Sequence, residues 1–300
     1  MNSALNKQKN YIWRLFYGIV FGIKKRGMKM KITSTLHNHC TMCDGSSTLD
    51  EMIQAAISAG FTDFGMSCHG YAPFDPEYSM PGEEEYIAVL SNAKEKYADK
   101  IRLWTGVEED FFAPSAMPHR YDYIIGDVHY AKDTHTGELI AIDGSPQNFC
   151  DARDKIFGGD AMALVKDYFE NMVKAAEKKP DVLGHFDLVV KNNKENCFFD
   201  EESEEYVDTA LEALKACNDC GVIFEVNTGA VVRKKRALPY PSPYLLKKLY
   251  EMGGKVTLSA DCHDARFITG GFDAGLKVIR DAGFKTLYVW ENGKFEEKEI

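Results

Sequence analysis

The 300-residue chain lacks an apolar run long enough to cross a bilayer: residues 11 to 23 are apolar and aromatic, but Arg14 interrupts them, and they fall short of the roughly 20 residues a spanning helix needs. A small-residue cleavage site is missing too, because that stretch runs into Lys24-Lys25-Arg26, so secretion is not expected. The eight cysteines form no dense framework, which excludes a disulfide-stapled scaffold and implies reduced thiols in a cytoplasmic protein. Two Cys-x-x-Cys pairs, Cys40 with Cys43 and Cys217 with Cys220, lie far apart and are read as small apolar residues rather than zinc ligands. Excess positive charge is absent: the formal balance of -10 disfavours nonspecific binding to nucleic acid or to an anionic membrane. Neither a GxGxxG nor a Walker loop occurs, and no internal repeat is evident.

The charge is unevenly spread. Residues 1 to 31 hold eight basic residues and no acid, leaving 28 bases against 46 acids, or -18, in the remainder. Residues 1–29 are therefore expected to be a basic, partly apolar extension upstream of the fold, with Met28 or Met30 opening a compact reading; a surface-bound amphipathic helix is the alternative. Residues 30–300, 45% hydrophobic across the whole chain, are long enough for one barrel-sized catalytic domain.

Hydrophobic period and breakers predict alternating strands and helices. Strands are expected over residues 31–36, 61–67, 101–107, 123–126, 182–184, 222–226, 255–259 and 286–290. Helices are expected over 83–97, 161–178, 201–220, 243–252 and 273–282, with a further one capped by Ser47, with Asp50 at its third position, and closed by Gly60. A polar stretch from 132 to 159 breaks the rhythm, as functional or mobile connections do. About seven βα units favour a distorted α/β barrel over an open doubly wound sheet.

Metal-ligand residue types gather at the ends of these strands: His37, His39 and Asp44, then His69, Glu108, His129, His185, and Asp261 with His263. A barrel delivers such positions to one shared face. His37 and His39, two apart on an extended segment, point to the same side, and Asp261 and His263 share that spacing. Glu108 is placed to bridge two ions; Glu109 and Asp110 follow it and compete for that role, but alternation turns Glu109 away, which ranks Glu108 first. Imidazole with carboxylate suits zinc, manganese or iron, and this many ligands implies two or three divalent ions. Asp127 and Asp187 are either orienting carboxylates or ordinary solvated acids. His119 and His135, in a loop and in the polar insert, are bystanders.

These segments resemble the polymerase and histidinol phosphatase (PHP) superfamily, and its histidinol-phosphatase branch in particular. Leu36-His37-Asn38-His39 with Asp44-Gly45, Ser67-Cys68-His69, Gly106-Val107-Glu108, Gly126-Asp127-Val128-His129, Gly184-His185-Phe186-Asp187 and Ser259-Ala260-Asp261-Cys262-His263 are similar to the family's motifs across most of residues 31 to 292. Cys262 replaces the alanine common there, and alternation should turn its thiol away. The branch is suggested by Asp143-Gly144-Ser145-Pro146, Phe157-Gly158-Gly159-Asp160, Tyr168-Phe169-Glu170, Asn227-Thr228-Gly229 and Pro239-Tyr240-Pro241-Ser242-Pro243.

The resemblance implies a distorted (β/α)7 barrel with a di- or trinuclear centre at the C-terminal ends of its strands. It implies metal-dependent hydrolysis of L-histidinol phosphate in histidine synthesis, with Glu108, Asp261 and His263 in catalytic roles. Arg153 and Arg233 are the candidates for gripping the phosphate of this small-molecule ester, with Lys234, Lys235 and Arg236 behind Arg233. Rival readings are a related phosphoesterase acting on a nucleotide, sugar phosphate or phosphotyrosine, an amidohydrolase-type deaminase, and a noncatalytic metal-binding module. Oligomeric state is left open by the sequence.

Overall fold

Short runs of branched and aromatic residues alternate with amphipathic helices, and an α/β chain of that rhythm can bury both faces of a parallel sheet. A computed structural model describes residues 31–114 and 120–300; the expected 1–29 extension and His119 lie outside them. Ile32–Ile300 forms one compact unit.

Seven parallel strands build the barrel: β1 (Ser34–Thr35), β2 (Asp63–Met66), β3 (Arg102–Asp110), β4 (Tyr123–Asp127) and, after a hairpin of β5 (Tyr130–Lys132) and β6 (Leu139–Ala141), β7 (Val182–Leu183), β8 (Ile223–Asn227) and β9 (Lys255–Ser259). Their spatial order follows the chain order. β1 and β9 meet just past their C-terminal ends, where Asn38 bridges Cys262 in parallel. His39 N donates to Cys262 O at 2.8 Å and Cys262 N to His37 O at 3.2 Å, which closes the barrel with two hydrogen bonds. The fold is the α/β, TIM-like (β/α)7 barrel that the sequence predicts.

Local chemistry sets the helix ends. The helix Leu49–Ala59 starts at Thr48 rather than at the expected Ser47: Thr48 Oγ1 accepts from Glu51 N, and Glu51 Oε2 accepts from Thr48 N, which is a full capping box. Ser47 Oγ accepts instead from Ala265 N, tying the first helix to the loop after β9. Gly60, with φ 78, ends the helix as expected. Glu83–Tyr97 forms over its predicted range, whereas the helix expected from residue 201 starts at Glu204 because Ser203 is its cap. The polar 132–159 stretch holds β6 and the helix Pro146–Ile156, capped by Ser145.

The strand expected over 286–290 is β10 (Thr286–Glu291), but it lies outside the barrel and pairs antiparallel with β11 (Lys294–Glu299). Trp290 on β10 packs with Leu36, Tyr123, Ile125 and Val182, flanked by Trp104 and Phe295. Tyr123 reaches Leu36 O with its hydroxyl at 2.5 Å. Gly65 and Gly106 are glycines for its sake: a Cβ at Gly106 would come within 2.1 Å of the Tyr123 ring.

Candidate metal centre

The strand ends bring all nine predicted ligand residues into one cluster. Glu108 is at its middle, 1% exposed, with Oε1 at 3.0 Å from His37 Nε2 and from His185 Nε2, and Oε2 at 3.0 Å from His69 Nδ1 and 3.2 Å from His39 Nε2. His129 Nε2 is 3.8 Å from Oε1. Asp261 Oδ1 lies 3.7 Å from His37 Nε2, 3.4 Å from His39 Nε2 and 3.4 Å from His263 Nδ1. Asp44 joins the third side, at 3.1 Å from His263 Nε2, 3.5 Å from His39 Nδ1 and 3.7 Å from His69 Nε2.

β3 runs through Glu108 to Asp110, so the pleat that directs Glu108 inward sends Glu109 outward, to within 3.6 Å of Lys178 Nζ. The same pleat returns Asp110 to the inner face. There it accepts from His129 N at 2.6 Å and lies 3.5 Å from His129 Nδ1, facing that residue rather than competing with Glu108 for the bridging position. Asp261 and His263 share a side for another reason than the one expected. β9 ends at Ser259, and Asp261 turns the chain at φ 45, a left-handed conformation that Asp tolerates at a cost. Cys262 does face away, its thiol donating to Asp264 O. Gly45 allows the turn carrying Asp44, since a Cβ there would sit 2.5 Å from Cys40 N.

Glu225, on β8, was not singled out from the sequence. Its buried carboxylate lies 2.6 Å from His37 Nδ1, accepts from His185 N and Asn227 Nδ2, each at 2.9 Å, and bonds the Ser259 hydroxyl. Fixing Nδ1 of His37 on Glu225 leaves Nε2 turned to Glu108 and Asp261, which is how a carboxylate sets a ligand's tautomer. A charged residue within the apolar run Ile223-Phe224-Glu225-Val226 was the available signal, because buried charge is rare without a partner. Glu225→Gln turns an amide N–H toward one of these donors. It is expected to weaken metal binding about 10- to 100-fold, read by competition with a chromophoric chelator, and to destabilise the protein by roughly 2–3 kcal/mol in urea unfolding.

Arg233 reaches the same cluster. Its Nη2 is 2.8 Å from Asp261 Oδ2, and its Nη1 donates to Asp261 O at 2.9 Å and lies 3.0 Å from His263 Nδ1. Gly229 makes room for this pair, for a Cβ there would lie 2.8 Å from Arg233 Nη2 and 2.9 Å from Asp261 Oδ2. Arg153 is not brought to the cluster by any contact among the described residues: its Nε donates to neighbouring Asp154 at 2.7 Å. Arg236 is taken up by Glu201, through two guanidinium nitrogens at 2.8 and 2.9 Å. His135 is exposed in the β5–β6 turn, as a bystander should be, and Asp187 accepts from Ser242 N rather than from a histidine. All eight cysteines are free; Cys43 Sγ lies 3.5 Å from His39 Nδ1, and Cys40 Sγ 3.7 Å from Cys68 Sγ.

The electrostatics run mainly in one sense, with two exceptions: burial and His39 lower His263, and burial pushes Asp127 up to about 7. Burial opposes a charged imidazole at His37, His39 and His129, yet their pKa values stand well above the usual range: Glu108 and Asp261 act on the first two, joined by Glu225 at His37, and Asp127 and Asp110 act on the third. Burial likewise opposes charge on Glu108 and Asp261, yet both are held well below the usual carboxylate range, the first by His37, His69 and His39 and the second by Arg233 and His37. Positive charge is what such a cluster demands. His37 Nε2, His39 Nε2, Asp44 Oδ1 and Glu108 Oε2 are buried without a hydrogen-bond partner, and each such atom costs about 1–3 kcal/mol unless something fills it. Three overlapping groups hold ligand atoms within 4.8 Å of one another: His39, Asp44, His69 and His263; Glu108, Asp127, His129 and His185; and His37, His39 and Glu108. Divalent cations fit that donor set.

The pattern of the PHP domain family matches residues 35–229. A "Probable histidinol-phosphatase" of Schizosaccharomyces pombe is 27% identical over 294 residues, covering 88% of this chain and 90% of that protein. Another of that name, from Deinococcus radiodurans, is 29% identical over 264 residues, covering 84% and 94%. Among solved structures, histidinol phosphate phosphatase from Lactococcus lactis, complexed with zinc, L-histidinol and phosphate, superposes with a TM-score of 0.61 at 18% identity over 89% of this chain and 99% of that one. With its barrel, its motifs and this match over more than half its length, the chain belongs to the PHP domain family, and the relatives it resembles nearly end to end are those of the histidinol-phosphatase branch.

Proposed function

We propose that this protein is a metal-dependent phosphomonoesterase that hydrolyses L-histidinol phosphate to L-histidinol and phosphate, a step of histidine biosynthesis, and that the domain carrying this activity spans residues 30–300 in the cytoplasm. The observation that carries the reading is one carboxylate, Glu108, within 3.2 Å of four imidazoles, with the Arg233 guanidinium on the flank of the same cluster. The names of the relatives and the zinc, L-histidinol and phosphate bound by the Lactococcus protein support the choice of substrate.

Two or three divalent ions, zinc, manganese or iron, would be held by His37, His39, Glu108 and Asp261, by Glu108, His129 and His185, and by Asp44, His69 and His263. Bound there, they would supply Lewis-acid polarisation of the phosphoryl group and activate water. The chain's own residues do the rest. Arg233, about a third exposed, gives Nη2 to Asp261 Oδ2 and Nη1 to Asp261 O, and its remaining N–H groups would be offered to phosphoryl oxygens. His263, beside that guanidinium, would hold or deliver the proton that the departing alkoxide needs, with the Asp261 carboxylate 3.4 Å from its Nδ1 positioning the ring. Arg153 would join only if its pairing with Asp154 gave way.

Arg233→Ala is expected to raise KM and lower kcat, reducing kcat/KM about 100-fold with metal content intact, and Arg233→Lys should recover little, because a point charge lacks the fork. Steady-state kinetics beside metal analysis checks this. The reading itself is tested by phosphate release from L-histidinol phosphate, a nucleotide, a sugar phosphate, phosphotyrosine and p-nitrophenyl phosphate. A strong preference for the first is expected, and preference for another ester would keep the metal centre and move the substrate.

A further inference from the structure

Asp127 closes β4 and is fully buried, and neither of its carboxylate oxygens has a hydrogen-bond partner. A carboxylate stripped of water and left without donors costs several kcal/mol, and in folded proteins such a group is neutralised by a cation or a proton. No lysine or arginine pairs with it among the described residues. What faces it is the cluster: Oδ1 lies 3.2 Å from His129 Nδ1 and Oδ2 lies 3.7 Å from His185 Nε2, which is itself 3.0 Å from Glu108 Oε1.

A purely orienting role for His129 leaves this arrangement unexplained. Such a role uses one oxygen and leaves Oδ2 orphaned. Asp110 approaches the same ring nitrogen at 3.5 Å while accepting from His129 N at 2.6 Å, so His129 has a second carboxylate beside it and Asp127 Oδ2 is the atom that orientation leaves over. Asp127, Glu108, His129 and His185 each offer one ligand atom, all within 4.8 Å of one another, which is enough donors to complete a four-coordinate site.

We propose that Asp127 is a tenth metal ligand, a direct donor to the ion shared by Glu108, His129 and His185. This rests on the metal centre proposed above. The position then has two carboxylates and two imidazoles, a harder donor set than the three imidazoles and one carboxylate of His39, Asp44, His69 and His263, and it favours Mn2+ over softer ions more than that group does. Isosteric replacement by Asn removes the charge and keeps the volume.

The test uses the full-length protein, stripped by chelation and refilled with Mn2+ or Co2+, comparing wild type with Asp127→Asn, Asp127→Ser and the control Asp110→Asn. Circular dichroism establishes that each is folded. One class of Mn2+ ions is expected to bind about tenfold or more weakly in both Asp127 variants. At saturation with Co2+, their visible absorption should change in intensity, as it does when a ligand is lost. The Asp110→Asn spectrum should match that of wild type. Unchanged Mn2+ affinity in folded Asp127→Asn would overturn the assignment, and so would weaker affinity with an unchanged Co2+ spectrum, which marks an orienting residue. A wild-type protein that takes up neither ion would instead sink the metal centre and this inference with it.

Discussion

Glu108→Gln is expected to lower kcat/KM for phosphate release by about 10³-fold or more, equivalent to ~4 kcal/mol of lost transition-state stabilisation. The carboxylate places one oxygen 3.0 Å from His37 and His185 and the other 3.0 and 3.2 Å from His69 and His39, so both oxygens serve the cluster. Gln supplies a single acceptor and turns an N–H toward ring nitrogens. The charge that joins the two halves of the site is lost, while volume and packing are kept. Plasma mass spectrometry on the purified variant should show fewer bound ions than in wild type, with unchanged circular dichroism. A variant that retains its full metal content and works within tenfold of wild type would remove Glu108 from its bridging role.

Removing metal should be nearly as severe, and its effect on stability should depend on pH. Ions present at about 1,000 times their Kd add ~4 kcal/mol, which for a domain of this size corresponds to a fall in Tm of roughly 10 °C on chelation. In the stripped protein, protons take the place of the cations. His37, His39 and His129 have folded pKa values raised above the ordinary 6.5, so their contribution is fully present below 6.5 and is lost as pH rises through the raised values. Glu108 and Asp261, with depressed values, contribute above the ordinary carboxylate range and lose that contribution only in acid. The stripped protein should therefore lose Tm on going from neutral to alkaline pH more steeply than the metal-loaded one, as measured by differential scanning fluorimetry. Parallel curves would mean that these imidazoles do not hold the protons assigned to them.

The cluster was legible because seven of its nine residues fall just after a short apolar run, and a parallel barrel has one place to put such residues. His37 and Glu108 needed nothing more. Partners inside strands were harder to read. Glu225 looks like an interruption of a hydrophobic strand until His185 N, from the end of neighbouring β7, and His37 Nδ1, from beyond β9, are seen to converge on it. Asp110 was legible as a rival of Glu108 but not as the partner of His129, because that contact depends on the strand running on through the pairing of Glu109 with Gly126 and Asp110 with Asp127. β11 was missed because Lys294, Glu296 and Glu299 suggest solvent rather than a strand, and only its pairing with β10 gives it shape. Arg153 illustrates the opposite error: a cation in the right segment was taken for a phosphate ligand, and it found a carboxylate next door. In each case the deciding contact is long-range or depends on which neighbour is nearer, and neither is written in local period.

The closure at Asn38 and Cys262 bears on the order of folding. Asp44 and His263, which share that seam, are 219 positions apart, so the loop entropy for nearly the whole domain must be paid before they meet. The ion position proposed for them with His69 cannot exist in a partly wound barrel, whereas His129 and His185 meet Glu108 as soon as the middle strands associate. In the proposed centre, cation uptake would thus divide into an early class and a late one, the late one a chemical record that the ring has shut.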